Sequence, residues 1–153
     1  EIWMGAKYFT QSIYYKVPYA PLFVRDDTVL VFDHYQDQLF KFDKNNNKVD
    51  SIPIFYHKAT KPSKWEQPLI ADESTEEIYA LFMRQGHYYI KQVNTDNGFV
   101  SPAFRVYYKF VETIKIDKGF IYYVYRPYES AQERYIYREK IKLREDKTED
   151  GSE

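Results

Sequence analysis

The sequence predicts an all-β protein made of three weak copies of one antiparallel four-strand unit. Composition is the first observation behind this. The chain holds 17 Tyr, 11 Phe and 2 Trp against only 5 Gly, and aromatic side chains favour strands, where their rings pack on cross-strand neighbours. The second is a recurrence. PLFVRDDTVLVFDHYQDQLFKFDKNNNKVDSIPI from Pro21, PLIADESTEEIYALFMRQGHYYIKQVNTDNGFVSPAFR from Pro68 and TIKIDKGFIYYVYRPYESAQERYIYREKIKL from Thr113 follow one plan. The third is the lack of helical periodicity. Even in the charged stretch 130–143, Tyr135, Tyr137, Ile141 and Leu143 fall on odd positions, as strand alternation requires.

The elements follow in order. Two aromatic runs, Lys7–Phe9 and Ser12–Val17, precede Pro18 and Pro21, which close the second. In the first copy, strands are expected at Leu22–Val24, Thr28–Phe32, Leu39–Phe42 and Val49–Phe55. They are separated by turns at Asp26–Asp27, Asp33–Asp37 and the Asn-rich Asp43–Asn47. Tyr56 to Gln67 reads as a longer connection. The second copy gives strands at Leu69–Ala71, Glu77–Met83, His87–Val93 and Phe99–Val106. The third gives Thr113–Ile116, Phe120–Tyr125 and Glu133–Leu143. The best match between copies is the turn after strand three. Phe42-Asp43-Lys44-Asn45-Asn46-Asn47 lies against Val93-Asn94-Thr95-Asp96-Asn97-Gly98, each rich in residues that tolerate left-handed backbone. The domain therefore spans 1–143, with units at about 21–67, 68–112 and 113–143 and an N-terminal strand within 7–20. The charged tail 144–153 is expected to be disordered.

Charge and residue types exclude several functions. The 22 basic and 23 acidic residues leave a net charge of −1, without the basic footprint that binds nucleic acid. No apolar run approaches the length of a membrane span. Zero Cys removes disulfides, thiolate metal sites and thiol catalysis together. The chain opens at Glu1 without Met or a signal peptide, which reads as a processed product or a piece of something longer.

Copies of about 45–50 residues with about four short strands each have the size and content of propeller blades. Val31-Phe32-Asp33 with Leu39-Phe40-Lys41-Phe42-Asp43, and Tyr89 to Asn94, carry a scheme of apolar strands ending in Asp or Asn. That scheme resembles blades of the six-bladed β-propeller repeat proteins of the NHL and TolB-like group. The resemblance covers residues 21 to 143. It lacks a Trp-Asp dipeptide and a Gly-His signature, and the third copy lacks the Asn-rich turn. It implies a partial propeller of three blades, an interaction function and an extracytoplasmic setting. The chain opens in a fourth strand and stops after a third. It is therefore expected to be part of a larger propeller or to pair as a homodimer completing six blades. The alternative fold is a single antiparallel β-barrel or sandwich, the barrel enclosing a small hydrophobic ligand.

Candidate chemistry is sparse. There is no G-x-S-x-G elbow, and the serines sit in turns. His34, His57 and His87 have no zinc spacing, and the Asn/Asp turns lack the closing Glu of a calcium loop. No catalytic residue, metal or cofactor is assigned. Asp72, Glu73, Glu76 and Glu77 read as a solvated turn, or as contributors to a larger propeller hydrolase. One pattern remains. Loops after strands two and four of a blade emerge on one side. This groups His34 and Tyr35, Arg84 and His87, and Arg126 and Tyr128 with Tyr56, His57, Trp65, Tyr107, Tyr108 and Lys109. Aromatics interspersed with His and Arg suit recognition of a protein or carbohydrate surface. A Tyr-rich chain also tolerates such residues in half-exposed loops for no further reason.

Overall fold

The computed structural model describes residues 19–128 and 134–143; the N-terminal strand within 7–20 and the tail 144–153 expected from sequence lie outside them, apart from 19 and 20. Among the described residues, eleven strands form three antiparallel sheets. The first sheet contains β1 (Leu22–Arg25), β2 (Thr28–Asp33), β3 (Gln38–Phe42) and β4 (Lys48–Pro53). The second contains β5 (Lys64–Ala71), β6 (Ile78–Arg84), β7 (His87–Val93) and β8 (Phe104–Arg105). The third contains β9 (Glu112–Asp117), β10 (Phe120–Tyr125) and β11 (Tyr135–Lys140). Within each sheet, every pairing joins strands adjacent in sequence. No sheet closes on itself, which sets aside the single barrel, and no α-helix occurs among the described residues.

Turn chemistry explains the hairpins. Gln85–Gly86 and Lys118–Gly119 carry positive φ at both central positions (51 and 83°, 53 and 73°), the type I′ geometry that matches strand twist. Asp43 Oδ1 accepts from Asn45 N and Asn47 N at 2.8 and 2.9 Å, and Asn94 Oδ1 accepts from Asp96 N at 2.8 Å. The two turns aligned from sequence therefore use the same side-chain cap.

Three strands differ from the sequence expectation by three or more residues at an end. β5 begins at Lys64, inside the expected connection, and tolerates Pro68 because pairing with β6 shifts between Glu66 and Ile70. Proline fits a strand where a bulge relieves it of a ladder bond. The expected strand Phe99–Val106 shrinks to the two residues of β8 and one bridge from Val93 to Val100. Pro102 lacks an N–H, and Ser101 Oγ takes the Gln92 amide at 2.9 Å in place of a carbonyl. β11 is shorter than expected at both ends.

The chain divides into two compact units, Glu1–Ser51 and Ile52–Glu153. In the first, Leu30, Phe32 and Leu39 are buried on one face of the sheet. The register Leu22↔Val31↔Phe40 and Val24↔Val29↔Phe42 puts six apolar residues on the other face, none of them buried. In the second unit one core joins both sheets. Tyr79, Leu81, Ile90 and Val106 meet Val111, Ile116, Ile121 and Tyr123. This core spaces the strand ends on which the candidate residues sit.

Candidate recognition surface

The β6–β7 hairpin and the connection 106–111 build one end of the second unit together. Arg84 is the last residue of β6 and His87 the first of β7, and they face each other across the hairpin. His87 Nδ1 lies 3.0 Å from the Val106 carbonyl oxygen. A carbonyl only accepts, so Nδ1 carries the proton. Val106 N donates to Tyr88 O at 2.9 Å and Phe110 N to Gly86 O at 2.8 Å. The connection is thus stitched to the hairpin along its length.

Phe110 is 76 % exposed and sits at φ 53°. A left-handed backbone is uncommon for a bulky residue and costs about 1–2 kcal/mol. Its ring lies over Gly86, where an added Cβ would come within 2.6 Å of Phe110 Cζ. Glycine at 86 thus serves the turn and makes room for the ring. Tyr107, 69 % exposed, packs edge-on against Tyr108 with centroids 4.9 Å apart.

Tyr108 anchors the connection to the third sheet. Its ring stacks on Tyr125 at 4.1 Å and lies 4.8 Å from Tyr137. Burial, then a hydrogen bond to Tyr137, raises its pKa. Glu139 accepts from the Tyr107 amide at 3.1 Å and from the Tyr123 hydroxyl. Burial, then the Glu139 carboxylate, pushes the Tyr123 phenol far above its ordinary range. Tyr123 therefore stays protonated as a donor.

The remaining candidates divide between three places. Tyr56, His57 and Trp65 form one aromatic group, with centroids 5.7, 5.9 and 6.3 Å apart. Tyr56 and His57 belong to a single 3₁₀ turn, Tyr56–Lys58, and Trp65 lies within β5 rather than in a loop. The register Trp65↔Phe82↔Tyr89 puts Trp65 at the same end of the second sheet as Arg84 and His87. Arg126 follows β10 and pairs with Glu112 at the start of β9, directly after the connection; Arg134 lies 3.9 Å from the same carboxylate. Tyr128 is exposed beyond it.

His34 and Tyr35 belong to the first unit and differ in kind. His34 is 9 % exposed, stacks on Tyr19 at 5.2 Å and has Nδ1 2.9 Å from the Tyr19 carbonyl. Tyr35 is exposed, its amide held by Asp33.

Ten of the twelve residues grouped from sequence, all but His34 and Tyr35, thus lie on strand ends and connections at one end of the second unit. Sequence reading missed Phe110. Its position next to Lys109, just past a fourth strand, was visible. Its left-handed backbone and its seat over Gly86 were not.

The arrangement offers contact area, cations and hydrogen-bond donors. Among the described residues, no group of three or more His, Asp or Glu is placed to hold a metal ion. The acidic turn at the other end is committed to structure. Asp72 is buried, and its carboxylate accepts from Ser74, Thr75, Lys118 and Gly119 amides at 2.7–3.1 Å. No protein-family model matches the chain, and no curated protein matches it. The functional reading therefore stands on this geometry.

Proposed function

We propose that the chain is a non-enzymatic binding module of the β-propeller type, of the NHL and TolB-like kind. It recognises a protein or glycan through the end of the second unit that carries Arg84, His87, Tyr107 and Phe110. The observation that carries this reading is Phe110. A large apolar ring held in solvent on left-handed backbone, over a glycine that makes room for it, has no role in the core. Strain retained at an exposed aromatic points to a contact made with something else. Aromatic anchors beside Arg are the composition of interface hot spots.

The same reading takes the three sheets as three blades whose array pairs with a second copy to complete six. A half-exposed apolar sheet face supports this, Leu22/Val24/Val31/Phe40 in the first sheet, together with the half-exposed Phe120, Tyr122 and Val124 of the third, which share their face with Lys115, Asp117, Arg138 and Lys140.

The test is a screen of peptide and glycan arrays with the wild-type protein and a Tyr107→Ala/Phe110→Ala variant. Ligands bound by the wild type are expected to be lost or weakened at least about tenfold in the variant. Equal binding by both would remove the surface from the proposal. Mass-spectrometric detection of a cleaved or modified ligand would overturn the non-enzymatic assignment.

A further inference from the structure

The second unit is electrically polarised along its strands. Among the described residues, Lys64, Arg84, Arg105, Lys109, Arg126 and Arg134 lie at the end built by the β6–β7 hairpin, against Glu66, Glu112 and Glu139. At the opposite end, on the β5–β6, β7–β8 and β9–β10 turns, lie Asp72, Glu73, Glu76, Glu77, Asp96 and Asp117, against Lys118, Lys140 and Lys142. The described residues of the second unit thus sort their charges by strand end, in a chain whose net charge is −1. Tyr79 registers the acidic end. Its phenol is pushed up to about 12 by burial and then by the charges of Asp72 and Glu77.

We infer that the ligand of the basic end is an acidic polypeptide segment, with Arg84 and Lys109 as its cationic contacts and Phe110 as its apolar anchor. The inference rests on the binding reading above and narrows it.

Charge complementarity sets the sign of the partner: Arg84 and Lys109 are exposed on the two segments that flank the Phe110 ring in sequence and in hydrogen bonding. The Arg guanidinium suits bidentate carboxylate pairing. Chemistry at the anchor favours polypeptide over sugar. Phe110 has no hydroxyl, and the other exposed rings at this end, Phe55, Tyr107, Tyr128 and Tyr135, are spread over separate segments. Such a surface is broad and aromatic with cations, as protein interfaces are. A sugar site needs a denser set of convergent polar groups around each ring.

The test uses fluorescence anisotropy of a labelled Glu–Tyr copolymer. Polygalacturonate and an oligothymidylate serve as competitors, at about 50 and about 200 mM salt. The expected result is saturable binding of the copolymer that weakens with salt and that polygalacturonate and the oligothymidylate displace only at much higher charge concentration. Arg84→Glu, Lys109→Glu and Phe110→Ala each weaken it at least about tenfold, Arg84→Lys restores part of it, and Glu73→Lys at the opposite end leaves it unchanged. Circular dichroism of each variant checks that it is folded.

Polygalacturonate competing as well as or better than the copolymer would overturn the polypeptide assignment and leave the binding surface standing with an acidic glycan. Preference for the oligothymidylate would overturn it in favour of nucleic acid. Binding that ignores Arg84→Glu and Phe110→Ala would place the ligand elsewhere. No binding of any anion would overturn the acidic ligand, and the array screen would then decide whether the surface itself survives.

Discussion

Asp72 shows how much one residue holds in the second unit. Burial alone would raise its pKa, and the amides of Gly119, Ser74, Thr75 and Lys118 together outweigh burial and lower it. Two of those amides belong to its own turn and two to the β9–β10 turn, so one carboxylate ties the second sheet to the third. Asp72→Ala leaves four N–H groups without their acceptor and is expected to cost about 3–4 kcal/mol in urea unfolding at pH 7. The folded pKa lies below the unfolded value of about 4. The ionised form therefore stabilises the fold at higher pH, and its contribution disappears as pH falls below about 4 through the folded value. Wild-type stability should drop more steeply than that of Asp72→Asn between about pH 4 and pH 2. Parallel slopes would show that Asp72 is not the titrating link. Glycines give a second test at this scale. An added Cβ at Gly98 meets the Pro53 carbonyl oxygen at 2.1 Å, whereas one at Gly119 meets nothing within 4 Å, and both residues have φ above 70°. Gly119→Ala should cost about 1 kcal/mol, the left-handed penalty alone. Gly98→Ala should cost at least about 3 kcal/mol, because backbone must move as well. Equal losses would mean that contact with Pro53 adds nothing.

At the scale of elements, the connection 106–111 joins packing to recognition. Tyr108 inserts among Tyr123, Tyr125 and Tyr137, and the chain on either side of it displays Tyr107 and Phe110. Tyr108→Ala should release the connection before it unfolds the sheets. Amide exchange at 106–111 is expected to speed up on the order of tenfold or more, with β6 and β7 unchanged. Uniform acceleration across β6 and β7 would instead make Tyr108 an ordinary core residue. Much of the element pattern was legible because hairpins advertise their turns. The turns at Asp26–Asp27 and Asp43–Asn47 were read from residue type, and β7 and β10 fall at the expected residues. The misses share a cause. β5 reaches back to Lys64 through a bulge, and β8 is cut short by Ser101 and Pro102. Both are decided by which backbone groups find partners across the sheet, and local propensity carries no information about that. The seating of Phe110 over Gly86 belongs to the same class, a contact between residues 24 positions apart.

For the whole molecule, recurrence proved the most informative signal. Three weak copies became three antiparallel sheets because each copy carries its own turns, and sheets of neighbouring strands need no distant pairing. In the second unit, one face of the second sheet is filled by the third through Tyr79, Leu81 and Ile90. The other face of the third sheet carries Phe120, Tyr122 and Val124, half-exposed, beside Ile136, which is 78 % exposed, and among the charged Lys115, Asp117, Arg138 and Lys140. In the first unit the sheet face with Leu22 and Val24, 58 % and 67 % exposed, is apolar. Apolar faces of this kind favour association. A two-fold arrangement closes only if each copy offers one such face to the other's second. Multi-angle light scattering should then give a mass near twice the 18.6 kDa chain, falling toward one chain on dilution. Tyr122→Lys on the third sheet and Val31→Lys on the first should each produce monomers, because every contact uses both faces. A wild-type protein that stays a monodisperse monomer would sink the three-plus-three assembly. An assembly that keeps growing with concentration would show contacts that fail to close, and Val31→Lys would then stop growth as a chain terminator.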